Sequence, residues 1–174
     1  MAVETREEPA AALAEQPELN AAWSEDGIVR HAAVNVGVAV ETDRGLLVPV
    51  VRDVGSKSVR AVAAEAARLI ERARAGQASG DDLAGGTITI TNLGRYEIDA
   101  FTPIVNPPEA AILGVGRIVA RPVVVDEASE QVAVRKMVAL SLTFDHRVVD
   151  GAPAARFLQR IKHLVEHPHR WALG

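Results

Sequence analysis

The sequence predicts an α+β domain, and three observations carry that prediction. β-forming runs follow one another along the chain, two long segments have the three-to-four-residue apolar spacing of a helix face, and no internal repeat divides the 174 residues. With 48% hydrophobic residues, 24% charged residues and a net charge of −4, a chain of this length reads as one soluble globular domain with enough apolar side chains for a core. It has no cysteine, so neither disulfides nor thiolate-bound metal hold it together. Aromatic residues make up 3% and the charge balance is slightly acidic, which argues against a nucleic-acid partner. The acidic start from Met1 to Pro9 is unlike a secretory signal, and no apolar run approaches the ~20 residues that cross a bilayer, so the expected location is cytoplasmic and off the membrane.

The elements follow in order. Residues 1–16 are rich in Ala, Glu and Pro and read as a flexible N-terminal segment, with a short helix from Ala10 to Glu15 that Pro17 ends. The folded domain is expected over 17–174. Runs from Ala33 to Glu41 and from Leu46 to Val51 flank Thr42-Asp43-Arg44-Gly45, a turn sequence, and predict a hairpin. From Val59 to Ala75 the residues Val59, Val62, Ala63, Ala66, Leu69, Ile70 and Ala73 define one helix face, with Ser58 as N-cap and Gly76 as the stop. After the polar stretch from Gln77 to Gly86, Thr87-Ile88-Thr89-Ile90-Thr91 alternates as a strand with threonines on one face and isoleucines on the other. A loop from Asn92 to Glu109 leads to strands over Ala110–Val115, Arg121–Val125 and Gln131–Arg135, with a turn around Glu127 to Glu130. From Met137 to Phe144, Val138, Leu140, Leu142 and Phe144 predict a core face, and Ala139, Ser141 and Thr143 a face that can line a site. The last helix runs from Ala152 to Glu166, with Pro153 in its first turn and Ala154, Phe157, Leu158, Ile161, Leu164 and Val165 on its apolar side.

The stretch from Ser141 to Ala152 places a histidine and an acid between a strand and a helix, where rigid scaffolds present reactive groups. By residue type alone, His146 serves as readily as a structural histidine, with Asp150 a helix cap or a partner for Arg147. The sequence Phe144-Asp145-His146-Arg147-Val148-Val149-Asp150-Gly151 resembles the signature of the catalytic domain of dihydrolipoamide acyltransferases, the core subunits of 2-oxo acid dehydrogenase complexes. Pro17-Glu18-Leu19-Asn20-Ala21, the segment from Val34 to Val51, Gly85 to Gly94, and Phe101 to Ile118 with Asn106-Pro107-Pro108 resemble that family in the same order.

The resemblance implies a chloramphenicol-acetyltransferase-like fold, a mixed β-sheet with flanking helices, and acyl transfer between dihydrolipoamide and coenzyme A. Both are substrates, the lipoamide being carried on another domain or chain, and no metal is implied. A thiol of pKa near ~8.5 needs a base at neutral pH, and an imidazole can take the proton and return it to the leaving thiolate. By resemblance that base is His146, the oxyanion donor is Thr91, where many relatives have serine, and Asp150 braces the His146 segment through an arginine. Phe101, Leu113, Ser141 and Thr143 are placed beside the pantetheine arm in the same way. The resemblance further implies a homotrimer or larger core, with His146 of one chain facing Thr91 of its neighbour. The family's domain begins well upstream of Pro17, so its N-terminal portion is expected to be missing here, and Lys57, Lys136 and Lys162 lie outside any lipoyl-attachment motif. The competing reading is a non-catalytic assembly module that joins full-length acyltransferase subunits.

Three further patterns in the sequence have simpler structural readings. His163-Leu164-Val165-Glu166-His167 matches a zinc-peptidase pattern, yet Pro168 follows at once and seven residues remain after His167, so a structural helix end is the simpler reading. Gly114-Val115-Gly116 is half a dinucleotide fingerprint, but a strand, not a helix, is expected after it. Arg60, Arg68, Arg72 and Arg74 are interleaved with Glu65 and Glu71, as on a solvated face.

Overall fold

The computed structural model describes residues 12–13 and 15–167. Strands β1 (Ala21–Ser24) and β2 (Gly27–Arg30) form a first hairpin. The segment from Val36 to Val51 doubles back as the turn sequence predicts, but its arms are shared between two sheets. At the tip, β4 (Val40–Thr42) pairs with β5 (Gly45–Leu47) around Asp43 and Arg44. Gly45 has φ +107, a value that L side chains rarely adopt and that makes glycine the fitting residue. Below the tip, β3 (Val36–Val38) and β6 (Val50–Val51) pair with each other and enter the main sheet.

Three longer strands complete that sheet. They are β7 (Ile88–Asn92), β8 (Ala111–Asp126) and β9 (Gln131–Phe144), and the order across the sheet is β6-β3-β7-β8-β9. The pairs β3–β7 and β7–β8 are parallel, whereas β3–β6 and β8–β9 are antiparallel. The runs expected as separate strands, Ala110–Val115 with Arg121–Val125 and Gln131–Arg135 with Met137–Phe144, are the halves of β8 and β9. Gly116 and Arg117 interrupt the ladder as a bulge without ending the strand, because the Arg117 N–H donates to Ile98 O at 2.8 Å instead.

Strand register assigns two faces. Thr89 and Thr91 share a face with their partners Ile112 and Gly114, and these with Thr143 and Ser141. Ile88, Ala111, Leu142 and Phe144 point the other way, where they meet the helices. Helix α1 (Val59–Arg74) begins as foreseen, with Ser58 Oγ accepting the Ala61 N–H, and packs Val62, Ala66 and Leu69 against Val51 and Val54. A second helix, α2 (Gly80–Leu83), lies within the polar stretch from Gln77 to Gly86, stabilised by a capping box between Ser79 and Asp82. Helix α3 (Gly151–Glu166) buries Ala154, Phe157 and Leu164 against Val149, Ile88 and Ala111.

The N-terminal boundary is corrected. Ala12 and Leu13 are buried in the same core as Phe157, and Glu15 pairs with Arg160 at 3.3 Å, so the packed domain reaches back into the segment read as flexible over 1–16. Of the helix expected from Ala10 to Glu15, Ala12, Leu13 and Glu15 are helical, while Ala10, Ala11 and Ala14 lie outside the described residues. No described helix is long and apolar enough to cross a membrane.

Candidate active site

His146 stands in the turn between β9 and α3. Buried Val149 anchors that turn, and Asp145 O accepts from the N–H groups of Val148 and Val149 at 2.9 and 3.0 Å. Asp145 carries most of its order: its N–H donates to Ala110 O at 2.8 Å, and its carboxylate accepts from the Arg147 backbone at 3.0 Å and from Arg147 Nη2 at 2.6 Å. The Arg147 guanidinium holds the Asp145 carboxyl below the usual carboxylate range. That guanidinium also lies over the Trp23 ring, 4.9 Å from its centroid.

The imidazole itself is presented outward, with its side chain 71% exposed and its ring 5.5 Å from that of Phe144. His146 Nδ1 is 3.7 Å from Asp150 Oδ1. Asp150 occupies the N-cap position of α3, but its side chain accepts no cap hydrogen bond, which leaves the carboxylate turned to the imidazole. Among the described residues no arginine pairs with Asp150: Arg147 pairs with Asp145, and Asp150 Oδ1 lies 3.7 Å from His146 Nδ1. Asp145 and Trp23 are not singled out by the sequence, and Arg147 only as a partner for Asp150. The alternation of acid, histidine and arginine over 145–147 was the available signal, since residues two apart can close a turn around the one between.

Thr91 lies elsewhere, half-buried in β7, where it lines two hollows. One, of about 300 Å³, is bounded by Thr89, Phe101, Pro103, Asn106 and Ile112. The other, of about 760 Å³, is bounded by Glu41, Arg74, Arg95, Tyr96 and Arg117 among others. Phe101 reaches the sheet because Gly114 has no side chain: a Cβ there would stand 3.1 Å from Phe101 Cζ. Ser141 and Thr143 share the face of Thr91 by register, and Thr143 Oγ1 is buried without a hydrogen-bond partner. Leu113 does not join them. It is paired with Ile90 and Leu142, 6% exposed, and points to the helix side, so the structure gives it a core position across the sheet from Phe101, Ser141 and Thr143.

One chain does not bring His146 to Thr91. Thr91 is level with Gly114 and Ser141, while His146 lies in the turn beyond Phe144, which is itself three residues or about 10 Å further along β9. β9 is also two strands from β7, about another 10 Å. Among the described residues no group of three or more His, Cys, Asp or Glu is placed to hold a metal. In the His163–His167 pattern, the His167 Nδ1 lies 2.8 Å from His163 O and Glu166 pairs with Lys162 at 3.0 Å. Pro168 lies outside the described residues.

A mixed sheet with both long helices on one face, and a histidine presented at the end of its last strand, defines a chloramphenicol-acetyltransferase-like fold. A chloramphenicol acetyltransferase structure superposes with a TM-score of 0.56 over 88% of this chain and 72% of that one, at 16% identity, which speaks for the fold alone. The narrower assignment comes from sequence: a family model for the 2-oxoacid dehydrogenases acyltransferase (catalytic domain) matches residues 8–173, and the chain belongs to that family.

It is 48% identical over 159 residues to the lipoamide acyltransferase component of the branched-chain alpha-keto acid dehydrogenase complex of Pseudomonas putida, covering 90% of this chain and 37% of that protein. It superposes on Azotobacter vinelandii dihydrolipoamide acetyltransferase with a TM-score of 0.84 at 45% identity, covering 90% of this chain and 64% of that one. That enzyme's crystallographic and enzymatic study addressed a serine, a histidine and an asparagine in its catalytic mechanism. The cubic core of a pyruvate dehydrogenase multienzyme complex superposes with a TM-score of 0.85 at 43% identity, covering 92% of this chain and 66% of that one. The chain thus spans little more than a third of the curated relative and about two thirds of these solved chains.

Proposed function

We propose that the protein transfers an acyl group between dihydrolipoamide and coenzyme A, in a site completed by two copies of the chain. The carrying observation is the exposed His146 imidazole with Asp150 Oδ1 3.7 Å from its Nδ1, and Nε2 is the proposed base. In the Azotobacter enzyme the histidine and the asparagine under study are four residues apart, the spacing of His146 and Asp150 here.

In the proposed reaction His146 Nε2 takes the proton of the attacking thiol as the sulfur bonds to the thioester carbonyl carbon. The carbonyl oxygen gains the negative charge, and the Thr91 hydroxyl of the neighbouring copy donates a hydrogen bond to it, an effect worth about 10²-fold or more. The bond to the leaving sulfur then breaks, and the imidazolium returns its proton to that thiolate. Asp150, whose Oδ1 stands 3.7 Å from Nδ1, is the proposed partner of the ring on the side away from the thiol. Phe101, Ser141 and Thr143, on the face of Thr91, are the proposed neighbours of the pantetheine arm.

The test is acyl exchange between acyl-coenzyme A and free dihydrolipoamide, with the intact chain compared with His146→Ala. Loss of exchange with His146 supports the enzyme. A folded intact chain without exchange would instead support the assembly module.

A further inference from the structure

Glu109 is a buried acid that the reaction above leaves unused. It is 5% exposed, just before β8, and its Oε1 accepts from Asn106 Nδ2 at 3.3 Å. A Cβ on Gly86 would stand 2.7 Å from that oxygen, so the glycine makes room for the carboxyl. Glu109 Oε2 has no hydrogen-bond partner, and neither has Thr89 Oγ1, on a residue 1% exposed. Burial raises the acid's pKa, and the Thr89 hydroxyl is near enough to oppose that rise. The titratable and charged groups around it are His31 and Arg52 along one adjoining hollow and Asp145 and Arg147, paired with each other, along the other; none forms an ion pair with Glu109. A carboxylate here would lack a counter-charge; the un-ionised acid needs none, and its O–H can give Oε2 and Thr89 Oγ1 a partner in one bond.

We propose that Glu109 is a positioning residue for acyl transfer, held as the un-ionised acid whose Oε2–H donates to Thr89 Oγ1. The proposal rests on the acyl-transfer reading. The bond ties the segment from Asn106 to Ala110 to β7, two residues before Thr91, and so fixes the floor of the smaller hollow beside that hydroxyl. The same segment supports the histidine side. Ala110 O holds the Asp145 N–H at 2.8 Å, and the Ala110 N–H donates to Ala21 O at 3.0 Å, on the strand whose Trp23 underlies Arg147. Glu109 is thus the joint between the strand that offers the hydroxyl and the turn that offers the imidazole.

The experiment compares wild type with Glu109→Ala, Glu109→Gln and Thr89→Val, by steady-state acyl exchange and by unfolding midpoint between pH 5 and 9. Glu109→Ala should lower kcat about tenfold, with KM for dihydrolipoamide changed less than about twofold, because the residue touches no substrate. Glu109→Gln should restore kcat to within about threefold, since its amide donates to Thr89 and its carbonyl accepts from Asn106. Folded Glu109 holds its proton more tightly than unfolded Glu109, so its stability contribution falls with rising pH, and the wild-type midpoint should drop against that of Glu109→Gln. A Gln variant as impaired as the Ala variant, or midpoints that run parallel across the range, would overturn the proposal. Should Glu109→Ala not fold, Thr89→Val carries the same loss of kcat, and an unimpaired Thr89→Val overturns it. A wild-type chain without exchange removes the acyl-transfer reading and the positioning role with it, while the midpoints still decide the hydrogen bond.

Discussion

Mixing two inactive variants separates a site shared between copies from one contained in each. His146→Ala removes the proposed base and Thr91→Ala the proposed oxyanion donor, and each alone should leave about 1% of exchange or less. In the proposed reaction both groups come within hydrogen-bond reach of one thioester, yet the structure sets them at least about 10 Å apart along the strands and about 10 Å across them. If neighbouring copies supply the two groups, a chain with intact His146 beside a chain with intact Thr91 makes one wild-type site. In a randomly assembled equal mixture of three-membered rings, about one interface in four meets that condition. Co-refolded variants should therefore regain about a quarter of wild-type exchange from acyl-coenzyme A to dihydrolipoamide. Recovery no greater than the sum of the separate variants, in a mixture shown to have exchanged subunits, would refute the shared site.

The scaffold and the turn give three further tests. Phe157→Ala empties a position 2% exposed in the core beneath α3 and should cost about 3–5 kcal/mol in denaturant unfolding; a cost below about 1 kcal/mol would mean that α3 does not anchor the fold. Gly37→Ala places a Cβ 2.7 Å from Val48 Cγ1 and 2.8 Å from Thr89 Oγ1, so a loss of about 1–3 kcal/mol is expected, and a neutral result would show that β3 can shift away from β7. For Asp145, held below the usual carboxylate range by Arg147, the stabilisation is complete above an ordinary aspartate pKa of about 4 and is lost as pH falls through the depressed one. The gap in unfolding midpoint between wild type and Asp145→Asn should close on acidification, and a gap independent of pH would contradict the ion pair.

Patterns set by one element were legible in the sequence, and relations between elements were not. The cap at Ser58, the stop at Gly76 and the alternation of Thr87 to Thr91 are local, and each appears in the structure. The division of the hairpin between two sheets is not local, because β3 and β6 follow the pull of β7 while the tip stays apart. Leu113 shows the limit for the site. Its apolar side chain suited a pantetheine-lining role as well as a core role, and only register with Ile90 and Leu142 sends it to the helix side. Glu109 gave no signal at all, since a glutamate beside two prolines reads as an exposed loop residue until its neighbours close over it.

Topology explains why the two proposed catalytic groups stand apart within one chain. β7 and β8 run in parallel, and Thr91, near the C-terminal end of β7, is level with Gly114, the fourth residue of β8 and before its bulge. β9 returns antiparallel to β8, and its C-terminal end, with His146 beyond it, must lie at the edge where β8 begins. No rotamer change can close that gap, because it is set by strand direction. The anchoring is consistent with a fixed separation: Asp145 is tied to Ala110 at the start of β8, and Val149 is sunk in the core under α3. A rigid presentation of each half serves a site in which a second copy supplies the other half, since the geometry at the thioester is then determined by how two copies dock and not by motion within one.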